Sequence, residues 1–318
     1  MPKFKTLYTD FPWADADIER DRLAELDCEL AISPDNKEET LIELAPGSDC
    51  IITCWAPTTA RVIAATGKCR HIARTGIGLD NIDVEYATEH GIVVTNVPDY
   101  CILEVAEQTI ASIFSLARNV HGYHLATKSG EYDLVKGLPV NRVAGKTLGI
   151  VGLGKTGSLV AEKALALGME VVGNNRSQQV PEGVKWLPFE ELLAVSDYVS
   201  LHAPLTDATR RLMNHTAFAQ MKPTAALINT SRGGLVDHDA LAHALEDNRL
   251  AGAALDVQDP EPPDLSQPPW NHPKVLITPH TAFLSPEAVT ELRERVGQQV
   301  VDFLSGKRPE NVINPEVF

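Results

Sequence analysis

The sequence predicts an α/β protein made of two doubly wound parallel sheets. Three observations carry that expectation. Short apolar runs of strand length alternate with helical runs almost from end to end. A three-glycine turn at 152–157 lies between one such strand and one such helix. At 318 residues the chain is long enough for about two domains.

In chain order, strands are expected at Phe4–Thr9, Glu29–Ile32, Cys50–Cys54, His71–Arg74 and Ile92–Thr95. Helices fall between them at Ile18–Leu26, Lys37–Leu44, Thr59–Thr66 and Val84–His90, the last stopped by Gly91. A second series begins after Pro98 with a long, mostly apolar helix at Glu104–Val120. Its apolar content exceeds what a one-sided surface helix needs, which favours an interface over simple burial in its own domain. Six strands follow, at Leu148–Val151, Val171–Gly173, Tyr198–Leu201, Ala225–Asn229, Gly252–Asp256 and Val275–Thr278, enough for a whole nucleotide domain. The proline cluster Pro260–Pro269 is a loop, and Pro286–Leu304 is an amphipathic helix ending at Gly306. The expected division is residues 1–100 with 287–318 in one domain and 101–286 in the other.

The segment 147–177 matches two nucleotide signatures. Gly149-x4-Gly154-Lys155-Thr156 spells a P-loop, and Gly152-x-Gly154-x-x-Gly157 spells a dinucleotide turn. In a P-loop the residues between the glycines form the phosphate-wrapping turn. Here they include Ile150 and Val151, which continue an apolar strand, so the turn starts only at Gly152. Gly152 then makes the turn, Gly154 lets the backbone approach a pyrophosphate, and Gly157 packs the helix against the strand. The helix Ser158–Gly168 and a second strand at Glu170–Gly173 complete a unit of about 30 residues.

A net charge of −15 disfavours nucleic acid and anionic membrane surfaces as partners. No signal peptide pattern opens the chain and no apolar run has membrane-spanning length. Five cysteines without Cys-x-x-Cys or ligand spacing predict free thiols in a reducing cytoplasm and no metal site.

Three groups look chemical. Arg232, in a glycine-flanked turn directly after a core strand, is placed to grip a carboxylate with two parallel N–H bonds. His280 follows the strand Val275–Thr278 and suits proton exchange near neutral pH. Glu261 lies just past another strand end; a carboxylate on the imidazole fixes its tautomer and keeps the acid form available. The other nine histidines, His121, His124 and His215 among them, read as surface or satisfied core residues. Near Arg74, the turn Gly76-Ile77-Gly78 exposes backbone N–H groups able to hold an anion.

Taken together, Gly76-Ile-Gly-Leu-Asp-Asn-Ile-Asp83, the three-glycine turn, His202-Ala-Pro-Leu-Thr206, Met221-Lys-Pro223, Ile228-Asn-Thr-Ser-Arg-Gly-Gly-Leu-Val-Asp237, Gly252-Ala-Ala-Leu-Asp-Val257 and Thr278-Pro-His280 resemble the D-2-hydroxyacid dehydrogenases. That family includes phosphoglycerate dehydrogenases and glyoxylate/hydroxypyruvate reductases. Val97-Pro-Asp-Tyr-Cys101 and Asn311-Val-Ile-Asn-Pro-Glu316 look like its C-terminal-binding-protein-like branch. The resemblance implies two Rossmann-like domains, a flavodoxin-like substrate domain and a dinucleotide-binding domain, in a homodimer joined through the latter. It implies that Arg232 orients substrate, His280 is the acid/base and Glu261 its partner. Ile77 and Gly78 would bind the substrate carboxylate through their backbone. Lys155 and Thr156 would meet the pyrophosphate, His202 and Pro204 the adenine, and Thr230, Ser231, Arg232 and Asp256 the nicotinamide side.

Departures from the family pattern narrow the choice. Formate dehydrogenases of this kind carry Gln where Glu261 stands, and phosphite dehydrogenases carry Lys where Ile77 stands. NAD users place an acidic residue on the adenine ribose at the end of the second strand. Here that place, 18 residues past Gly157, is Asn175, followed by Arg176 and Ser177. Loss of the carboxylate with gain of a cation predicts NADP(H) over NAD(H). Glyoxylate or hydroxypyruvate is the expected 2-keto acid. Phosphoglycerate is the competing substrate, for which Arg74 is the obvious extra cation. A dinucleotide-sensing, corepressor-like interaction protein is the competing class.

Overall fold

The computed structural model describes residues 2–135, 137 and 139–317. In chain order the elements are β1 (Phe4–Tyr8), α1 (Asp17–Ala24), β2 (Cys28–Ile32), α2 (Glu38–Leu44), β3 (Cys50–Thr53), α3 (Ala60–Ala65), β4 (His71–Arg74), α4 (Val84–Glu89) and β5 (Val93–Thr95). Then come α5 (Ile102–Arg118), α6 (Val120–Lys128), β6 (Thr147–Val151), α7 (Lys155–Ala166), β7 (Glu170–Asn174), β8 (Val184–Trp186), α8 (Phe189–Val195), β9 (Tyr198–Leu201), α9 (His215–Gln220), β10 (Ala226–Asn229), α10 (His238–Glu246), β11 (Gly252–Leu255) and β12 (Val275–Ile277). The chain closes with α11 (Pro286–Leu304). It forms two compact units, Met1–Tyr100 with Ser285–Phe318, and Cys101–Leu284.

The first unit holds a parallel five-stranded sheet in the order β2-β1-β3-β4-β5, the order of flavodoxin-like sheets. Its strand ends gather at one edge because parallel strands share a direction, and β3 and β4 pair so that Thr53 lies opposite Arg74. Ile51, Ile72 and Val94, fully buried, pack beneath α3 and α4. The helix starts are capped locally: the Thr59 side chain accepts from the Val62 N–H, and Asp83 accepts from the Tyr86 N–H. Helix α11 returns to this unit and is tied to α1 by a buried ion pair, Arg293 to Glu19 at 2.8 Å. The tail motif at 311–316 clamps the sheet edge. Asn314 accepts from the Val94 N–H at 2.8 Å and donates to the Ile92 carbonyl at 2.8 Å. His71 and His238 depart from the expectation of satisfied rings: His71 Nε2 meets the Thr95 hydroxyl at 3.0 Å, but its buried Nδ1 has no partner, and neither has the buried Nε2 of His238. Burial pushes the pKa of His71 down to about 3, so that ring is neutral.

The second unit holds seven parallel strands in the order β12-β11-β10-β9-β6-β7-β8. Read from β6 this is the doubly wound nucleotide order extended by one strand. Alternating residues of β10 serve opposite faces. Leu227 joins the core under α8, α9 and α10, while Ala226 and Ile228 join the core under α5 and α7. The apolar runs predict six strands here, one fewer than the sheet contains. The additional one, β8, is a three-residue edge strand with a single fully apolar inward residue, Val184, too short to leave a periodic signal. The helix expected at Glu104–Val120 stands as α5, Ile102–Arg118, and a further helix, α6, follows it. Asn119 adopts φ 48°, a left-handed residue that ends α5 and sends α6 off in a new direction. Among the described residues no helix is long and apolar enough to cross a membrane.

Candidate active site

The nucleotide turn is built from three consecutive local decisions. Strand β6 runs through Ile150 and Val151, so the P-loop alternative has no turn to wrap a phosphate. Gly152 leaves the strand with φ 98°. Helix α7 then begins at Lys155, and its first N–H groups and positive dipole end face the turn. A Cβ on Gly154 would meet nothing within 4 Å, so there is open space where a pyrophosphate would approach. Gly157 is different: a Cβ there would stand 2.0 Å from the Gly152 carbonyl oxygen. Gly157→Ala is therefore expected to lower the stability of the second unit by about 2–3 kcal/mol through overpacking. Urea unfolding and dinucleotide affinity measured together would check this. An unchanged midpoint with unchanged affinity would contradict the role given to the close approach.

At the end of β7, the Asn175 amide donates to the Gln179 carbonyl at 2.6 Å, and Trp186 Nε1 donates to the Asn175 carbonyl at 3.3 Å. Asn175 thus shapes the turn, while the exposed Arg176 and Ser177 project from it. Gln179 N donates to the Ser177 hydroxyl at a long 3.4 Å. His202, after β9, shares a hydrogen bond of 2.8 Å with Ser200, and burial pushes its pKa down to about 4. A neutral ring is the result at pH 7. Pro204 accepts from Thr209 at 2.7 Å, which closes the loop after β9.

Arg232 is presented by Asn229. The Asn229 side chain donates to the Arg232 carbonyl at 2.8 Å and accepts from the Ser231 N–H at 3.0 Å, folding residues 229–232 into a tight turn. Ser231 anchors that turn to the Ala203 carbonyl at 2.9 Å, and Thr230 pairs with Thr109 of α5 at 2.9 Å. The guanidinium then bends back, its Nη1 donating to the Ser231 carbonyl at 2.7 Å.

His280 and Glu261 come from different loops and meet at 2.8 Å, Nδ1 to Oε2, with side chains 29% and 33% exposed. Burial alone would push the Glu261 carboxyl up. The hydrogen bond and charge of His280, the Gln258 N–H and the Arg232 charge together outweigh it and hold the group below the usual carboxylate range. Its other oxygen accepts from the Gln258 N–H at 2.7 Å. His280 itself sits at φ 53°, uncommon for a non-glycine residue. What holds it there is Asp256. The Asp256 carbonyl accepts the His280 N–H at 2.7 Å, and its carboxylate takes Thr278 Oγ1 at 2.6 Å, Thr281 N at 2.9 Å and Ala282 N at 2.8 Å. Asp256 is thus spent on the backbone around His280. Sequence reasoning placed it beside the nicotinamide and missed this duty, as it missed Asn229 and Gln258, because each works through bonds to main chain atoms.

On the first unit, Gly76-Ile77-Gly78 forms the turn after β4. The Asn96 amide donates to the Ile77 carbonyl at 2.7 Å. In a trans peptide the N–H points opposite to the C=O, so this bond turns the Gly78 N–H away from Asn96. Arg74 lies beneath the turn, 8% exposed, with Nη1 donating to the Thr75 carbonyl and Nε buried without a partner. Among the described residues no group of three His, Cys, Asp or Glu side chains could hold a metal ion. The five cysteines form no disulfide, and burial pushes Cys54 and Cys69 up to about 12.

Residues 110–282 match the family model described as "D-isomer specific 2-hydroxyacid dehydrogenase, NAD binding domain". D-3-phosphoglycerate dehydrogenase 2, chloroplastic, of Arabidopsis thaliana is 35% identical over 305 residues, covering 92% of this chain and 48% of the relative. The chain spans about half the length of the phosphoglycerate dehydrogenases it matches. Glyoxylate reductase of Korarchaeum cryptofilum (strain OPF8) is 37% identical over 304 residues, covering 92% of this chain and 90% of the relative. Among solved structures, the TT0316 protein from Thermus thermophilus superposes with a TM-score of 0.90 at 34% identity, covering 98% of this chain and 100% of the other.

Proposed function

Because the chain belongs to the D-isomer-specific 2-hydroxyacid dehydrogenases, we propose that it is an NAD(P)-dependent oxidoreductase that reduces a small 2-oxo acid to the D-2-hydroxy acid. The observation that carries the reading is the 2.8 Å pairing of Glu261 with His280 in a unit that also carries the dinucleotide turn. The residues present fit a dinucleotide: an open space over Gly154, the start of α7, and a neutral His202. A bound nicotinamide would supply the hydride that reaches C2.

Everything else is done by this chain. Glu261 holds Nδ1 of His280, which leaves Nε2 as the nitrogen that gives its proton to the carbonyl oxygen as the hydroxyl forms. Arg232 carries a fixed positive charge that draws the oxygens of the acid into register. The first unit supplies the N–H groups of Ile77 and Gly78 for the carboxylate, with the Gly78 peptide oriented by Asn96. Lys155 and Thr156 at the start of α7 would hold the pyrophosphate, and Thr230, Ser231 and Asp256 shape the nicotinamide side. Glyoxylate and hydroxypyruvate are the substrates proposed first. A homodimer through the second unit is supported by apolar side chains left exposed on α5 and α6, including Leu103, Val120 and Leu125.

NADP(H) is the proposed cofactor. No carboxylate ends β7 to repel a 2′-phosphate, and Arg176 stands exposed beside Ser177. Arg176→Ala is expected to raise the Kd of NADPH about tenfold, the weight of one charge-assisted bond, and to leave NADH binding within twofold. Fluorescence titration with both dinucleotides, beside kcat/KM for each, is the check. A fivefold or greater preference of the unaltered protein for NADH would overturn the assignment. For the activity itself, glyoxylate and hydroxypyruvate assayed with both cofactors should turn over. Tight dinucleotide binding without any turnover would sink the enzyme reading and leave a sensing role.

A further inference from the structure

We propose that the first unit selects against a phosphorylated substrate and for an uncharged group at C3 of the oxo acid, with Trp55 as the residue that packs on that group. The proposal rests on the reading above, in which the carboxylate sits on the Gly76–Gly78 turn.

The strand ends of this unit are short of usable positive charge. The segments after β1 (9–16), β3 (54–59), β4 (75–83) and β5 (96–100) contain no Lys, Arg or His, but they contain Asp10, Asp15, Asp80, Asp83 and Asp99. Lys37, after the edge strand β2, lies 3.6 Å from Asp35. The two arginines of α11 that reach these segments are already engaged. Arg293 serves Glu19 at 2.8 Å and Asp15 at 3.1 Å, and Arg295 serves Asp99, Glu291 and Glu310 at 2.7–2.9 Å. That leaves Arg74, which is buried under the turn rather than projecting from it. One buried cation beneath N–H groups suits one carboxylate. A second, doubly charged group at the far end of the substrate would meet aspartates and no cation supplied by these segments, and like charges at such a rim repel.

What the rim offers instead is an indole. Trp55 is 40% exposed and Ile77, in the turn itself, is 38% exposed. Thr53 is opposite Arg74 in the β3–β4 ladder, so the segments that carry Trp55 and Ile77 leave the same edge of the sheet from adjacent strands. Two bonds lock the segments: the Thr75 N–H donates to the Thr53 carbonyl at 2.8 Å, and Asn81 donates to the Ala56 carbonyl at 2.9 Å. Asp10 fixes the Trp55 backbone. Its carboxylate takes the N–H groups of Cys54 at 3.0 Å, Trp55 at 2.8 Å and Ala56 at 3.1 Å. An exposed indole on an immobilised backbone is a built apolar contact, since a large ring adds buried area at little entropic cost.

The test uses the full chain with NADPH and NADH and compares kcat/KM for four oxo acids. Hydroxypyruvate and 3-phosphohydroxypyruvate differ only in the phosphate; glyoxylate lacks C3, and 4-methyl-2-oxopentanoate carries a branched apolar group. The unaltered protein should use hydroxypyruvate at least tenfold better than its phosphate ester. Trp55→Ala should lower kcat/KM for 4-methyl-2-oxopentanoate at least tenfold and leave glyoxylate within threefold, which also shows that the variant is folded. Trp55→Arg should raise use of 3-phosphohydroxypyruvate. Equal or better use of the phosphate ester by the unaltered protein would overturn the proposal, as would an equal loss on glyoxylate and the branched acid in Trp55→Ala. Failure to turn over any of the four acids would instead overturn the proposed activity.

Discussion

His280→Asn is expected to lower kcat for reduction by about 10²–10⁴, the usual weight of a positioned general acid, and to leave the dinucleotide Kd within twofold. The split is expected because His280 is held by Glu261 and by the Asp256 carbonyl, at 2.8 and 2.7 Å, outside the turn at 152–157. Glu261→Gln tests the pair more finely. An amide keeps the shape and loses the anion that holds Nδ1 of His280, so kcat for reduction should fall while the dinucleotide Kd stays within twofold. Stability carries a second signature. Glu261 is held below the ordinary carboxylate range in the folded protein. Its ionised form therefore stabilises the fold above about pH 4.3, the unfolded value, and that contribution is lost as pH falls through the depressed folded value. In Glu261→Gln this acid-side loss should be absent. Unchanged turnover in His280→Asn would remove the proton donor from the mechanism.

Arg232→Ala is expected to lower kcat/KM by about 10²–10³, comparable to removing one preorganised donor from a developing oxyanion. A raised KM should accompany the fall, because the same guanidinium would grip the acid in the ground state. Arg232→Lys should recover little: an ammonium restores the charge but not the planar fork. The turn that carries Arg232 is held by Asn229 and Ser231 through backbone bonds, so the variant should retain its thermal midpoint. Kinetics beside a melting curve separate these effects. Full activity in Arg232→Lys would show that only charge, and not geometry, is needed there.

Much of this molecule was legible along the chain because the signals are local. Buried parallel strands are continuous apolar runs, and β4 and β9 stand at the residues expected of them. Helix α11 starts at Pro286 as expected, and the structure shows Ser285 capping it from the residue before. The signal faded where an element was short or at an edge, as at β8. It also faded at α6, which follows the left-handed Asn119 and buries no residue that would mark an apolar face. Periodicity registers a face.

The same division runs through the site. Composition and turn chemistry alone determined that a dinucleotide-type turn starts at Gly152 and that Arg232 and His280 follow core strands, while the family resemblance marked Asn175 as standing where NAD users carry a carboxylate. Tertiary structure alone decided that Glu261 and His280 meet across 19 residues of chain, that Asp256 is spent on the backbone around His280, and that Arg74 lies under its turn while Trp55 stands on the rim. The reason is physical. Strand, turn and cap preferences are set by neighbours a few residues apart, whereas the partner of a side chain and its exposure are set by which strand ends the sheet brings together.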